Sequence, residues 1–379
     1  MKQRIGILLP RSDMYSTLAR DFMNGLKLFL NGKESLKGQI EFVIESVGTA
    51  SDDTVIKTAE KQLLQEEVDL TLAFCGNSLL DQLVDLFTGY KKPLIHIDLG
   101  GNILKKRHVS PYVVHHSLNM AHAAAALGAY AAEHLGKKVA LLSSFYDGGY
   151  QMAAGFDQGF ASNGGNIAMQ HVSPMAYKEQ NMEEVLQAVE NSGADVIFCL
   201  YSYKEGNHMW QALTNSSLNG KLPIVTTPIM TDESIVDKNY GVQKVQSVAS
   251  WSFDDDTPAM TTFIKNHKDQ YDEHPNIFGL LGYEIGLLLA HVLETGNSVP
   301  KNLGEYMKSQ VLHTPRGRIF FNAYNESQPK EFKLRNFEYN QITYHNLVVD
   351  TIENQKSETL NQHFEEQQFS GWINPYICT

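Results

Sequence analysis

Between residues 143 and 160 the chain reads SSFYDGGYQMAAGFDQGF, with two tyrosines flanking an adjacent glycine pair ahead of a helical pattern. A glycine loop there could cradle phosphate. Neither GxGxxG nor GxxxxGK(S/T) occurs, however, so Gly148 and Gly149 read as a tight turn that exposes Tyr150. Ser78 in CGNSLL lacks the second glycine of a nucleophile elbow. Fourteen histidines invite a search for metal, yet no HExxH is present. His115, His116 and His122 stand at spacings that suit neither one helix face nor one strand face, which makes them core or surface histidines. The acidic FDDDTP run lacks the alternating ligands and glycine of a calcium loop and reads as a helix cap. Cys75, Cys199 and Cys378 are odd in number and far apart, so neither a disulfide framework nor a zinc site is expected. The reading is of a chain without catalytic residues, resident metal or cofactor.

What remains is a set of polar and aromatic groups at the ends of apolar runs. Asn77 and Ser78 follow TLAFC; Asp98, Leu99, Gly100 and Gly101 follow or close PLIHI; Tyr146 and Tyr150 follow KVALLSS; Tyr201 and Tyr203 follow VIFC. Hydroxyls and free backbone NH groups at helix N-termini suit a carboxylate. Tyrosine faces suit an ammonium or an apolar chain.

These groups need strands and helices to hold them. Short β-type runs alternate with helix-period segments up to about residue 240, the pattern of stacked βαβ units with parallel sheets. Open parallel sheets bind ligands beyond the carboxyl ends of their strands, where every one of these groups falls. The order of elements also starts again near the middle. ARDFMNG at 19–25 matches AAGFDQG at 153–159, Asp69 before LTLAFC matches Asp195 before VIFC, and Pro93 of PLIHI matches Pro223 of PIVTT. An internal repeat is expected, and the shared Ala, Phe and Gly predict a helix face packed on its sheet, with the glycine admitting a close strand.

With 379 residues, 42% hydrophobic and 20% charged, the chain can bury two cores. A net charge of -12 gives little support to nucleic-acid binding. No apolar run approaches the roughly 20 residues that span a bilayer, so no stable membrane insertion is expected. The first residues, MKQRIGILLPRSD, have too short an apolar stretch for a secretory leader and read as the first strand. An extracytoplasmic protein lacking its leader and a cytosolic protein both fit that start.

On these residues the chain resembles the type I periplasmic binding proteins, in the branched-chain amino-acid receptor branch. The resemblance rests on RIGILLP with FMNG, VDLTLAFCGNS with KPLIHIDLGGN, ALLSSFYDGGYQMAAGF, ADVIFCLYSYKEGNHMWQAL, IFGLLGYEIGLLLAHVLETG and TPRGRIFF, in order over roughly residues 3 to 350. It implies an α/β fold of two Rossmann-like lobes, each a parallel sheet flanked by helices. Three hinge crossings would fall near 117–121, 248–254 and 324–330. Lobe 1 would comprise 1–118 with 250–326 and lobe 2 119–249 with 327–352; the remaining 353–379 is polar and reads as a loosely attached tail, whose Trp372 and Tyr376 either dock on the body or belong to a frayed end. It also implies a non-enzymatic periplasmic protein that closes on a small carboxylate-bearing ligand, an amino acid first of all, and passes it to an ABC membrane permease. By position, Ser78 matches the serine that holds the ligand carboxylate, and Leu99 to Gly101 match the loop that lends it backbone groups. Tyr150 matches the second lobe's tyrosine, Tyr201 or Tyr203 its aromatic companion, and Phe278 a lining ring. One departure concerns Ile229 and Met230, which stand where amino-acid receptors commonly place the acid for the ammonium. Asp98, Asp232 or Glu233 would substitute, or the ligand is not an α-amino acid. A ligand-sensing domain on the same fold and a nucleotide-using α/β enzyme are the alternatives.

Overall fold

Each apolar run of the first third becomes a parallel strand, and each 3.6-period segment the helix that returns the chain. The computed structural model describes residues 2–51, 53–236, 238–294, 298–354, 357–367, 372 and 375–377, so Cys378 lies outside the described residues. In chain order β1 (Gln3–Leu9), α1 (Leu18–Asn31), β2 (Ile40–Ser46), α2 (Thr54–Leu64), β3 (Leu70–Phe74), α3 (Leu80–Tyr90), β4 (Leu94–Asp98) and β5 (Val113–Ser117) build a five-stranded parallel sheet of order β2-β1-β3-β4-β5. Strands β3, β4 and β5 are buried along their whole length because helices cover both faces.

The pattern then repeats. After α4 (Met120–His134) come β6 (Lys138–Ser143), α5 (Met152–Ser162), β7 (Asn166–Val172), α6 (Met182–Asn191), β8 (Val196–Leu200), α7 (Tyr203–Asn215), β9 (Ile224–Thr226) and β10 (Val245–Ala249). Their order, β7-β6-β8-β9-β10, is that of the first sheet. Equivalent residues do equivalent work. The Asp69 NH donates to the Arg4 carbonyl at 2.7 Å, and the Asp195 NH to the Lys138 carbonyl at 2.7 Å, each closing a third strand onto the first. Phe22 packs on Phe74 of β3, and Phe156 stacks on Phe198 of β8 with ring centroids 4.0 Å apart.

The repeated glycines correct one expectation: they admit a helix, not a strand. A Cβ on Gly25 would lie 1.9 Å from the Gly279 carbonyl oxygen, and one on Gly159 would lie 2.0 Å from that of Ala125. The face that meets the sheet carries Phe22 and Phe156, while the glycines sit where α1 crosses a later helix and α5 crosses α4.

That later helix belongs to the last third, which adds α8 (Pro258–Tyr271), α9 (Ile277–Glu294), α10 (Leu303–Lys308), β11 (Val311–Thr314), β12 (Gly317–Phe321), β13 (Ser327–Pro329), β14 (Glu331–Tyr339), β15 (Tyr344–Glu353) and α11 (Ser357–Phe364). By length and composition α9 could cross a membrane, but here it is a core helix with most of its apolar surface buried inside the body. Strands β14 and β15 extend the second sheet antiparallel beside β10, while β11, β12 and β13 form a small antiparallel sheet.

A buried ionic cluster sits beside the connections that leave β5 and β10. Arg316 donates from Nε and Nη2 to the Glu284 carboxylate at 2.9 and 2.6 Å, from Nη1 to Ser250 Oγ at 2.7 Å, and from Nη2 to the Ser117 carbonyl at 3.2 Å. His116 Nε2 meets Glu284 at 3.0 Å. Burial alone would raise the Glu284 carboxyl, but the Arg316 charge and these hydrogen bonds hold it at about 2. The cluster ties α9 to the two connections that follow β5 and β10.

The loosely attached tail is the second correction. Leu360, Phe364, Tyr376 and Ile377 are buried, Asn361 Nδ2 donates to the Leu104 carbonyl at 3.0 Å, and the Lys106 NH donates to the Glu365 carboxylate. Sparse apolar residues in a polar stretch suffice to hold it because Leu360, Phe364, Tyr376 and Ile377 join the main hydrophobic core.

Candidate functional site

Where the carboxyl ends of the two sheets face each other, a cavity of about 670 Å³ opens between the lobes. Asp13, Met14, Thr49 and Ser51 line it from the loops after β1 and β2, and Phe145, Tyr146, Met175 and residues 202–205 from the loops after β6, β7 and β8. Phe145 and Met175 are the exposed apolar side chains among these lining residues. Tyr203 holds φ of 48° at the start of α7, a left-handed conformation uncommon for a residue with a side chain.

Deeper in, the turn YDGGY organises the second lobe's wall. The Asp147 NH donates to Ser144 Oγ at 2.8 Å, and its carboxylate accepts from Ser144 at 2.6 Å and from Ser202 at 3.1 Å through Oδ2. Burial raises the Asp147 carboxyl to about 6, against the lowering effect of these donors. Tyr146 and Tyr150 meet edge to face with hydroxyls 2.8 Å apart. Across from them, the Gln151 NH donates to the Gly101 carbonyl at 2.9 Å, and Gln151 Oε1 accepts the Ile103 NH at 2.7 Å, so the loop after β4 is stitched to the turn after β6.

The residues singled out from sequence are distributed as follows. Gly101 and Tyr150 come together, and Tyr203 lines the cavity. Leu99 and Gly100 donate their NH groups to the Asp98 carboxylate, while their carbonyls accept from Met120 and Ala121 at the start of α4. Gly100 has φ of 80°, and a Cβ there would lie 2.7 Å from the Asn119 nitrogen. Asp98 itself is buried with Oδ1 unpartnered, and burial pushes its carboxyl up to about 7. Ser78 is exposed in the turn before α3 beside half-buried Asn77, and neither lines the cavity. Tyr201 is buried with its hydroxyl 3.1 Å from Ser173 Oγ, Ile229 is enclosed in the core, and Phe278 packs beneath Tyr15 at 5.0 Å between ring centroids.

Of the acids proposed as stand-ins for an ammonium partner, Asp232 accepts from Tyr15 and Ser234, and Glu233 accepts from Asn346 beside Arg335. Sequence reading missed Asp147, whose only signal was its place in the turn, and Tyr15, Ser144 and Ser202. No group of three or more His, Cys, Asp or Glu side chains is placed to hold a metal among the described residues.

Two α/β lobes with repeated strand order, joined side by side around an aromatic cleft, define the solute-binding class of fold. The chain belongs to the periplasmic binding protein family, whose profile matches residues 2–331. Among solved structures it is similar to an ABC-transporter solute-binding protein from Rhodopseudomonas palustris BisB5 in complex with 3,4-dihydroxybenzoic acid, at 19% identity over 95% of this chain and 99% of that one, with a TM-score of 0.78. A second R. palustris solute-binding protein, in complex with 4-hydroxybenzoate, matches at 18% identity over 96% and 100% of the two chains, with a TM-score of 0.78. A leucine-binding protein from Thermotoga maritima matches at 15% identity over 93% and 99%, with a TM-score of 0.68. At these identities the likeness is one of fold. No curated protein matches the chain significantly.

Proposed function

We propose that this protein is a non-enzymatic, extracytoplasmic solute-binding protein that closes on a small carboxylate-bearing ligand and delivers it to an ABC-type membrane permease. The observation that carries the reading is the cleft between the lobes, lined at the strand ends by the rings of Tyr146 and Tyr203, with Tyr150 packed behind Tyr146. Aromatic walls bury a ring or an aliphatic chain and leave orientation to a few polar groups. Two of the similar structures hold hydroxylated aromatic acids and a third is a leucine-binding protein, so aromatic acids stand beside amino acids as first candidates. The residues proposed to contact the ligand are Gly101, Tyr150 and Tyr203, with Ser78 the least supported by its exposure.

A thermal-shift screen of amino acids, aromatic acids and short carboxylates tests the reading. A ligand at a hundred times its Kd stabilises by about 2.7 kcal/mol, a clear rise in melting temperature. Calorimetry on the hits should show Tyr150→Ala weakening binding at least tenfold and Ser78→Ala changing it little. Unchanged affinity in Tyr150→Ala would remove the site from this cleft.

A further inference from the structure

We infer that the C-terminal segment is an internal ligand of the cleft, and that the subsite it fills, formed by Gly101, Tyr146, Asp147 and Tyr150, takes the hydroxyaryl group of a free phenolic acid. The ligand half of this inference rests on the binding function proposed above; the plug half does not.

Tyr376 and Ile377 are 1% and 0% exposed, more enclosed than most residues of the final strands. The Tyr376 hydroxyl donates to Asp147 Oδ1 at 2.7 Å, and its ring meets Tyr150 edge-on at 4.8 Å and lies nearly parallel to Tyr146. The Tyr150 hydroxyl in turn donates to the Pro375 carbonyl at 3.2 Å. From the other lobe, Ser12 Oγ donates to the Ile377 carbonyl. The segment therefore touches both lobes in the space between them. Trp372 stacks on Tyr146, its indole NH donates to the Tyr146 carbonyl, and its backbone NH donates to the Gly149 carbonyl at 3.3 Å.

The receiving surface is shaped for this occupant. A Cβ on Gly149 would lie 2.3 Å from the Trp372 ring, and one on Gly101 would lie 3.2 Å from the Tyr376 Cβ. The second glycine of YDGGY, Gly149, thus gives Trp372 its seat. Ser144 and Ser202 hold Asp147 Oδ2 and leave Oδ1 turned to the phenol, so a molecule displacing Tyr376 must supply a hydroxyl donor at the end of a flat ring. A tethered occupant competes at high effective concentration and lowers the apparent affinity of any free ligand by the fraction of time it leaves the site.

Hydrogen exchange of the full chain tests the plug without any ligand. The C-terminal amides should exchange at least tenfold slower than in a free peptide, and free-peptide rates would overturn the plug. Titration with 4-hydroxybenzoate and benzoate then tests the subsite. Tyr376→Ala should tighten both acids by a similar factor of at least ten and should bind 4-hydroxybenzoate at least tenfold tighter than benzoate, Tyr376→Phe should fall between wild type and Tyr376→Ala, and saturating 4-hydroxybenzoate should release the tail amides in the wild-type chain. Equal affinities of the two acids for Tyr376→Ala, or a protected tail with 4-hydroxybenzoate binding neither the wild-type chain nor either variant, would overturn the hydroxyaryl assignment. Failure of every carboxylate in the thermal-shift screen to bind Tyr376→Ala would instead overturn the proposed function while leaving the plug standing.

Discussion

The Tyr15 hydroxyl donates to the Asp232 carboxylate at 2.6 Å, joining the loop after β1 in one lobe to the loop after β9 in the other. Burial and the nearby Asp232 charge raise the Tyr15 phenol well above its ordinary value, so it remains a donor at any physiological pH. A hydrogen bond to a charged group contributes about 1.5–3 kcal/mol. Tyr15→Phe keeps the ring on Phe278 and removes only this bond. The variant should favour the open form, with a larger radius of gyration by small-angle scattering and ligand affinity reduced roughly tenfold or more. Identical scattering and affinity would show that the pair does not hold the lobes closed.

The glycines at helix crossings make a second prediction. Gly25→Ala and Gly159→Ala each place a methyl inside the carbonyl of the facing helix, and such overpacking costs about 1–3 kcal/mol or more. Gly89→Ala, on the exposed end of α3 with nothing within 4 Å of its Cβ, should stabilise by about 0.5–1 kcal/mol. Denaturant midpoints for the three variants decide it: a loss in Gly89→Ala, or none in the other two, contradicts the packing.

At the buried cluster, Arg316→Met leaves the Glu284 carboxylate without its cation. Breaking a buried pair in this way costs about 3–5 kcal/mol. Glu284→Gln combined with Arg316→Met removes the charge along with its partner and should recover much of that loss. A double variant no more stable than Arg316→Met would show that shape rather than charge sets the cost.

Histidine titration gives a pH prediction. His96 on β4 donates from Nε2 to the Cys75 carbonyl at 2.9 Å and meets His115 of β5 edge to face. Burial lowers the His96 imidazole to about 4. The unfolded chain, with an ordinary value near 6.5, therefore binds a proton that the folded chain refuses between about pH 6.5 and 4. Stability from this site is complete above pH 6.5 and falls by up to about 3 kcal/mol as pH drops toward 4. The raised carboxyls of Asp98 and Glu233 act in the opposite sense, so the test is a difference: the stability gap between wild type and His96→Gln should narrow as pH falls through that window. A gap that is flat from pH 7 to 4 would refute it.

Much of the fold was legible because period and burial coincide. The recurring Phe22 and Phe156, Asp69 and Asp195, and Pro93 and Pro223 occupy equivalent places in two sheets of the same strand order, and each match reflects a local demand of a βαβ unit. The site was legible only in outline. Position at a strand end places a residue on the rim, but whether its side chain faces the cleft depends on the loop's path. Tyr203 turns in through a left-handed backbone, Tyr201 turns under the sheet, and Ser78 turns out to solvent.

The sequence by itself determined that two similar α/β lobes would form, since hydrophobic period and repeat order are properties of neighbouring residues along the chain. Tertiary structure alone decided that Gly25 and Gly159 serve helix crossings, that Asp147 faces the cleft, and that Tyr376 reaches it from more than two hundred residues away. Those outcomes depend on contacts between distant segments, and a short polar stretch carries no local pattern that tells a frayed end from one whose few rings fit a cavity built by the rest of the chain.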